Sequence, residues 1–193
     1  MKTDFTIKLI DKTQCKNLLL KYHYLKDISR GFKSGYNFGL FKQDQVVGVC
    51  IFTGFPVPEL VKGMLGLPRN QQDGLFELSR LCLEPTIQQQ EHNLASWFVS
   101  RTIKELCKMT KVKIILSYAD ASFHEGVVYK ACNFQYYGTT DSKKDFWIKQ
   151  EDGTFKKHSR GKIKGLQGEW RQRTIKHRYV YQIDKTLNIL WKQ

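Results

Sequence analysis

Two groups of polar residues interrupt apolar stretches of this chain, and their types suit proton-transfer chemistry. Ser117 and Asp120 belong to a Ser-Tyr-Ala-Asp run that ends an apolar stretch, and His124 and Tyr129 follow it. A hydroxyl, a carboxylate, an imidazole and a phenol can accept, donate or orient protons on a substrate. Asp120 could equally cap the turn after it, because aspartate often accepts hydrogen bonds from nearby backbone N–H groups.

Arg80 lies within an apolar run that is typical of a strand, where alternation places it on one face with Leu78 and Cys82. A guanidinium in an apolar strand is costly unless it is paired. We therefore expect Arg80 either to form a salt bridge with a neighbour such as Glu77 or Asp120, or to bind an anionic ligand.

His23 stands between Tyr22 and Tyr24 after a helical run. A histidine in such a place is commonly a surface residue, but the tyrosines could stack on a nucleobase while the imidazole acts as a general base. His23, Asp120 and His124 are also the residue types of an iron site with two histidines and one carboxylate. Their spacing does not require a metal, so iron is an alternative that metal analysis would test.

Apolar alternation and helical spacing predict the elements that position these side chains. Strands are predicted at 5–10, 36–41, 46–52, 76–83, 113–118, 134–138 and 179–183. Helices are predicted from residue 11 or 13 through 20, at 94–108 with Asn93 as N-terminal cap, and at 126–132. Segments 22–35 and 55–73 are predicted to be irregular.

This order predicts one mixed α/β domain over residues 1–193, with a mostly antiparallel sheet flanked by helices. The helix at 94–108 leads directly into an apolar strand, which predicts a right-handed β-α-β unit. The order resembles the Gcn5-related N-acyltransferase fold. Polar side chains at the end of a parallel strand are well placed to line a site.

Positive charge is concentrated toward the end of the chain. There are 32 Lys and Arg against 18 Asp and Glu, a net charge of +14. Residues 143–193 hold 14 of the basic and five of the acidic residues, a net +9, which leaves +5 for residues 1–142. Such an excess favours nucleic acid, anionic lipid or an acidic protein as partner.

The densest basic stretch lies within residues 149–178, a predicted insertion between the last two strands. Its glycines and its lack of periodicity predict a loop. Lysines and arginines beside a tryptophan suit a phosphate backbone and a stacked base, although a solvated insertion would have the same composition. The predicted DNA contacts are Lys156, Lys157, Arg160, Lys162, Lys164, Trp170, Arg171 and Arg173.

Cysteine usage and hydropathy limit the class of protein. The five cysteines are widely spaced without a CxxC pair, which argues against a zinc knuckle or a disulfide framework and favours reduced core thiols. No apolar run reaches the roughly 18 residues of a membrane helix, and the first residues do not open a signal peptide. We therefore expect a cytoplasmic protein without a membrane partner.

Six segments, in the same order along residues 20–184, resemble the Mom family of phage-encoded proteins that modify adenine in DNA. The segments that carry the resemblance are His23-Tyr24, Glu77 to Leu81, Ala95 to Arg101, Ser117 to Asp120, His124 to Phe134 and Lys176 to Tyr181. The Ser-Tyr-Ala-Asp run, together with the spaced His, Gly, Tyr, Ala and Phe of 124–134, is the most specific part.

The resemblance implies an acyltransferase-like enzyme that converts adenine in duplex DNA to its N6-carbamoylmethyl derivative and so protects phage DNA from host restriction. It also implies acetyl-CoA or a related acyl-coenzyme A as donor, and the host bacterial cytoplasm as location. The catalytic residues it implies are His23, Arg80, Ser117, Asp120 and Tyr129. His124 occupies a position where the family often has histidine.

The segment before the long helix departs from the acyltransferase fold where that fold binds the donor's pyrophosphate. The fold has a loop of the form Gln/Arg-x-x-Gly-x-Gly/Ala, whereas residues 84–93 contain no glycine. Backbone N–H groups at Asn93 to Ser96 could still bind an anion, although Glu84 and Glu91 oppose it. Cofactor contacts are therefore expected at Asn93 and Ser96, with coenzyme A implied by the fold and not by a motif.

Adenine in a duplex must leave the base stack to reach a recessed site. Its exocyclic amine is a poor nucleophile, so an enzyme must orient it, accept its proton and stabilise the charge that develops on the electrophile. We expect Asp120 or His23 to accept the proton and Tyr129 to donate one to the leaving group. Arg80 and Ser117 are expected to orient the reactants.

Trp170, Tyr22 or Tyr24 could fill the gap that a displaced base leaves in the stack. Two rival functions remain open at this point. An acyl-CoA-dependent N-acetyltransferase could act on a protein, RNA or small-molecule amine, and its basic segment would then be incidental. A non-catalytic DNA-binding phage protein would keep its activity with alanine at Asp120 and Tyr129.

Overall fold

A seven-stranded sheet forms the centre of the protein, with helices on both of its faces. The computed structural model describes residues 4–24, 32–158 and 161–192. The strands are β1 (Phe5–Leu9), β2 (Tyr36–Lys42), β3 (Gln45–Gly54), β4 (Leu75–Leu83), β5 (Ile114–Asp120), β6 (Gln135–Thr139), β7 (Lys144–Lys149), β8 (Phe155–Lys157), β9 (Gly168–Gln172) and β10 (Lys176–Gln182). The helices are α1 (Lys12–Tyr22), α2 (Glu59–Leu65), α3 (Pro85–Gln90), α4 (Leu94–Met109) and α5 (Val127–Ala131).

The strands of the central sheet follow the order β1-β2-β3-β4-β5-β10-β6. Neighbouring strands are antiparallel except for β4 and β5, which run parallel. Parallel strands need a long crossover, and the chain between β4 and β5 supplies it with α3 and α4. The prediction of a mixed, mostly antiparallel sheet flanked by helices is therefore confirmed.

Buried apolar side chains cover both faces of this sheet. On one face α4 packs Val99 and other apolar residues against a cluster that includes Leu78. On the other face α1 packs against Ile51, and α2 packs against Leu75 and Leu116. Successive residues of each strand point to opposite faces of the sheet, and both faces are covered by a core. This explains why the strands are apolar over most of their length.

The cysteines and the helices agree with an ordinary globular core. The five cysteines, all within the described residues, form no disulfide bond; Cys15, Cys50, Cys82 and Cys132 are buried as expected of core thiols, whereas Cys107 is exposed. Within the part of the chain that the structure describes, no helix is both long and apolar enough to span a membrane.

β4 and β5 pair only over their first halves. The paired part ends at Leu78 on β4 and Ser117 on β5. Beyond these residues β4 continues beside β3 to Leu83, and β5 continues beside β10 to Asp120. The two strands therefore diverge, and the gap between them, here called the β4–β5 split, connects the two faces of the sheet.

An irregularity between β3 and β4 decides which way Arg80 points. The register shifts so that Arg80 lies opposite Ile51 while Leu78 lies opposite Phe52. Ile51 belongs to the core beneath α1 and Phe52 to the core beneath α4, and opposite residues of an antiparallel pair share a face. The prediction that Arg80 shares a face with Leu78 is therefore wrong, because a β-bulge inserts Ser79 as an extra residue.

The basic segment between β6 and β10 contains a second, three-stranded sheet of order β8-β7-β9. The prediction of a loop here is wrong for 155–157 and 168–172, which are β8 and β9 and pair with β7. Their alternation was hard to detect because β8 has three residues and β9 has five, nearly all of them exposed. Lys162 and Lys164 lie between these two strands, and Arg160 lies outside the described residues.

Two helices lie in segments where the sequence predicted none. α2 falls within 55–73, where it follows Pro58 and buries Val61, Met64 and Leu65. Pro56 and Pro58 favour an irregular segment when the sequence is taken alone, although proline also favours the first turn of a helix. α3 occupies the segment before α4 and likewise begins at a proline. The prediction that the Asn93 side chain caps α4 is wrong, because Asn93 is left-handed (φ +57°) and makes no capping hydrogen bond.

Candidate functional site

Three cavities lie along and through the β4–β5 split. The β4–α5 groove has a volume of about 370 Å³ and a mainly apolar wall that includes Leu81, Leu83, Ala95, Val127 and Val128. The junction cavity, about 80 Å³, lies at the split itself and has a polar wall. The inter-sheet cleft, about 890 Å³, separates the central sheet from the three-stranded sheet.

Shared wall residues connect these cavities. His23, Tyr24, His124 and Tyr129 line both the groove and the junction cavity. Glu77, Tyr118 and Lys176 line both the junction cavity and the cleft. A molecule in the groove and a second molecule in the cleft would therefore meet at the junction cavity.

The two faces of β4 and β5 supply different groups to this junction. On the face of α4 and α5, Ser117 donates a hydrogen bond to the Leu78 carbonyl at 3.0 Å, across the end of the paired part. Ser117 is fully buried, and its side chain lies close enough to Tyr129, on α5, to lower the pKa of that phenol in part. Burial raises the pKa of Tyr129, so its hydroxyl stays protonated at physiological pH.

Arg80 contributes an incompletely bonded guanidinium to the junction cavity. Its Nη1 donates to the Ser79 carbonyl at 2.6 Å. Its Nε is buried without a hydrogen-bond partner, and within the described residues no carboxylate forms an ion pair with it. Of the two alternatives for Arg80, this geometry favours an anionic or carbonyl-bearing ligand over an internal salt bridge.

His23 ends α1 and takes part in a stack of three rings at the mouth of the site. The His23 and Tyr24 rings stack with centroids 4.5 Å apart, and Tyr24 meets Phe123 at 4.5 Å. His23 is buried (5% exposed), whereas Phe123 is 59% exposed. Burial raises the pKa of Tyr24, and the Asp120 carboxylate adds to this effect.

Asp120 lies at the end of β5 and lines the cleft, not the junction cavity. Its Oδ1 accepts from the Ser122 backbone N–H at 3.1 Å, and its Oδ2 accepts from the Thr174 hydroxyl at 2.8 Å. Asp120 therefore caps the turn that follows β5, the alternative expected from the sequence. Burial lowers the pKa of His124 on this turn, so its imidazole tends to be neutral.

The iron alternative is not supported by this geometry. Across residues 4–24, 32–158 and 161–192, no three His, Cys, Asp or Glu side chains are grouped so that they could hold a metal ion. His23 lines the groove and the junction, Asp120 lines the cleft, and the two oxygens of Asp120 bond to Ser122 and Thr174. His23, Asp120 and His124 are therefore not grouped in this structure as the ligands of the iron alternative would be.

Asn93 and Ser96 lie beside the groove rather than in it. They line a separate shallow cavity of about 320 Å³ with Trp97 and Arg101. The Ser96 hydroxyl donates to the Asn93 carbonyl at 3.1 Å, so it turns back on its own helix. Only one part of a coenzyme A molecule has a matching site among the described residues. The apolar groove suits the pantetheine arm, whereas α3 occupies the place of the glycine loop that would hold the pyrophosphate.

The predicted DNA contacts divide between the two faces of the three-stranded sheet. Lys157 lies opposite Trp147 and lines the cleft together with Arg171 and Arg173. Trp170 lies opposite Phe146 and Lys156 opposite Ile148, so these two residues point to the outer face. Trp170 is 56% exposed there, with its ring 5.5 Å from the Phe146 ring.

Ion pairs and aromatic rings hold the cleft-facing cations in place. Lys157 and Arg173 both bond to the buried carboxylate of Asp145, on the middle strand β7. Arg171 pairs with Glu169 and lies 4.9 Å from the Trp147 ring and 4.4 Å from the Phe155 ring. Preorganised cations beside aromatic rings are suited to phosphates and bases.

Acidification is expected to weaken the three-stranded sheet through Asp145. Burial alone would raise the pKa of Asp145, but the hydrogen bonds from Arg173 and Lys157 outweigh it and lower the pKa. A carboxyl whose pKa is lower in the folded than in the unfolded state stabilises the folded state at pH values above its unfolded-state pKa. This contribution is lost as the pH falls through the folded-state pKa. Amide hydrogen exchange should therefore accelerate in β7 to β9 at acidic pH, before it does in the central sheet. Asp145→Asn should remove this pH dependence, and an unchanged pH dependence in that variant would contradict the explanation.

Two residues at the site are not among the site residues predicted from the sequence. Glu77 was considered only as a partner for Arg80, but it lines both the junction cavity and the cleft. Phe123, between β5 and α5, was not singled out, although an apolar aromatic residue in a polar turn was the available signal. Tyr22, a predicted stacking residue, instead packs against the core beneath α1.

Known structures resemble this chain in fold. A Bacillus subtilis acetyltransferase in complex with CoA has a TM-score of 0.55 and 14% identity, over 93% of this chain and 99% of that one. A GNAT family acetyltransferase from Elizabethkingia anophelis with acetyl-CoA bound has a TM-score of 0.56 and 14% identity, over 93% and 99%. The ribosomal-protein-S18-alanine N-acetyltransferase of Escherichia coli has a TM-score of 0.55 and 14% identity, over 93% and 94%.

Sequence comparison identifies the family. No curated protein matches the chain. The model of the Mom protein family, in contrast, matches residues 4–192, which is nearly the whole sequence and includes every wall residue of the three cavities. The chain therefore belongs to the Mom protein family.

Proposed function

We propose that the protein is a transferase that modifies the N6 amine of adenine in duplex DNA with a group from an acyl-coenzyme A, and so protects phage DNA from host restriction. The observation that carries this proposal is the junction cavity, where an apolar groove from one side meets a cation-lined cleft from the other. Two substrates that enter from opposite sides would meet there with their reactive atoms adjacent.

The groove is the proposed donor site. Its wall between Leu81 and Val128 is apolar, as the methylene-rich pantetheine arm requires. The diverging edges of β4 and β5 leave backbone groups without a strand partner, and the amides of a pantetheine arm could bond to them. The GNAT-type fold supports an acyl-coenzyme A as donor, because relatives of this fold carry CoA or acetyl-CoA.

The cleft is the proposed acceptor site. A volume of about 890 Å³ is large enough for an extrahelical nucleotide. Lys157 and Arg173 can bind the phosphates on either side of the displaced base, and Trp147 offers a ring for stacking. Family membership supports DNA as the acceptor, and a net charge of +14 favours a polyanion.

The residues at the junction have distinct proposed roles. Tyr129 donates a hydrogen bond to the leaving sulfur, and Ser117 positions the Tyr129 hydroxyl. Arg80 lines the junction cavity, where its guanidinium binds the carbonyl oxygen of the donor. Asp120 holds the turn that carries Phe123, and Phe123 fills the gap left in the base stack, a role expected from the sequence for other aromatic residues.

The proposed product is the N6-carbamoylmethyl derivative that the Mom family implies. An acetyl group contains no nitrogen, so the amide nitrogen of this product arrives either with the transferred unit or in a later step. The mass of the modified nucleoside separates an acetyl from a carbamoylmethyl group. In both cases the N6 amine must lose a proton, although N6 bonds to a carbonyl carbon in an acetyl product and to a methylene carbon in a carbamoylmethyl product.

Mass spectrometry of nucleosides from cells that express the protein tests the proposal. We expect a new adenine adduct in DNA from cells with the unaltered protein. Asp120→Ala should abolish the adduct, because it removes the carboxylate that bonds to Ser122 and Thr174. Without these bonds the turn that carries Phe123 is no longer held in place. DNA without an adduct would contradict the proposal, and an adduct confined to protein or RNA would favour a different acyl acceptor.

A further inference from the structure

Glu77 occupies the point where the junction cavity opens into the cleft, and it is not among the catalytic residues that the family resemblance implies. It lines both cavities, as do Tyr118 and Lys176. An acceptor amine that reaches from the cleft toward the donor must pass these three residues. Of the three, only the carboxylate is a base at neutral pH.

The bonding state of Glu77 differs from that of Asp120. Within the described residues, the partly buried Glu77 carboxylate has neither a hydrogen bond nor an ion pair. The two oxygens of Asp120, in contrast, already accept bonds from Ser122 and Thr174. The Glu77 oxygens are not among the fully buried polar atoms, so a polar hydrogen of a ligand can reach them.

The β-bulge of β4 accounts for the position of this carboxylate. Glu77 lies on the face of α1 and α2, and the bulge turns Arg80 toward that face as well. Arg80 and Lys176 are then near enough to attract the Glu77 charge without contacting it. The carboxylate is therefore held at the split in a form that can bond to a polar hydrogen of a substrate.

We propose that Glu77 is the catalytic residue that accepts the proton of the N6 amine, a role that rests on the proposed function. In the acyl-transfer step the amine nitrogen forms a bond to the carbonyl carbon of the donor thioester, and the carbon–sulfur bond breaks with its electron pair going to sulfur, which gives an N6-acyladenine. The proton that the nitrogen loses goes to a carboxylate oxygen of Glu77. The sulfur leaves as a thiolate that the Tyr129 hydroxyl stabilises by hydrogen bonding, and a proton from solvent converts it to the thiol.

The surroundings of Glu77 suit this role. Burial raises the pKa of Glu77, and the charges of Arg80, Lys176 and Lys33 lower it in part. A carboxylate with a raised pKa is a stronger base, and it is ionised only above that pKa. Burial raises the pKa of Tyr118 to about 12, so its phenol stays neutral beside Glu77. The other titratable groups around the junction are His23, Tyr24, His124 and Tyr129.

Glu77→Gln tests the proposal in the full chain. We expect the rate of adenine modification to fall by about 100-fold, the usual contribution of a general base. The affinity for duplex DNA and the melting temperature should not fall, because the variant removes a negative charge and no internal bond. Glu77→Asp should recover part of the rate. Glu105→Gln, on the distant surface of α4, is the control and should match the unaltered protein.

The pH dependence separates a proton acceptor from a structural residue. With Glu77 present, the rate should fall as pH decreases through the raised pKa of this carboxyl, and the residual rate of Glu77→Gln should lack this fall. An undiminished rate in Glu77→Gln overturns the role of Glu77 while the adduct itself upholds the proposed function. A lost rate with a lower melting temperature or weaker DNA binding also overturns it. No adduct from the unaltered protein removes both proposals.

Discussion

Tyr129→Phe is expected to lower the rate of adenine modification by about 1000-fold while the fold is retained. The Tyr129 ring is buried and packs against Phe134 and Tyr179, with centroids 5.6 and 5.4 Å away. Phenylalanine keeps these contacts. The change removes only the hydroxyl that reaches the groove and the junction cavity.

The loss of rate follows from the leaving group. Cleavage of a thioester places negative charge on sulfur, and a nearby hydroxyl stabilises that charge by hydrogen bonding. Burial raises the pKa of Tyr129, so the hydroxyl remains a donor across the working pH range. The stability cost should be no more than about 1 kcal/mol, the usual net value of one hydrogen bond.

A matched variant separates this chemistry from general effects of tyrosine loss. Tyr136→Phe, on β6, also removes a bonded hydroxyl, which lies 3.3 Å from His177 Nδ1. It should retain the rate of the unaltered protein. Quantification of modified adenine against time, together with melting temperatures, provides the comparison. If Tyr129→Phe retained more than half of the rate, the assignment of Tyr129 as the hydroxyl that stabilises the leaving group would be wrong.

Long periodic elements of the fold were predictable from the sequence, and short ones were not. α4 has 16 residues with a continuous apolar face, so helical spacing alone identified it. β8 has three residues and α3 has six, too few for any period to stand out. These elements form because neighbouring parts of the chain pair or pack with them, and such tertiary contacts leave no local pattern.

The types of the site residues were easier to predict than their positions. The polar residues after the apolar strand β5 directed attention to Ser117 and Asp120, and the split does begin at Ser117. The direction of Arg80 was not predictable, because a single extra residue in β4 reverses the alternation after it. The importance of Glu77 depends on which cavities it lines, and that follows from the divergence of two strands far apart in the sequence.

Removal of the cleft-facing cations is expected to weaken duplex DNA binding on the order of 100-fold at physiological salt, if each cation contacts one phosphate. The variant replaces Lys157, Arg171 and Arg173 with glutamine. It also replaces their partners, Asp145→Asn and Glu169→Gln, so that no buried carboxylate is left unpaired. Three positive and two negative charges are removed, so the net charge changes by only one unit.

The salt dependence of binding distinguishes phosphate contact from a general charge effect. Each lost phosphate contact should reduce the slope of log affinity against log salt by about 0.9, so the slope should decrease by about 2.7. Lys8→Gln, on the exposed edge strand β1, also changes the net charge by one unit and should leave the slope nearly unchanged. Fluorescence anisotropy titrations at several salt concentrations give both quantities. An equal slope in the two variants would mean that the cleft-facing cations only neutralise Asp145 and Glu169, and that DNA binds elsewhere on this basic protein.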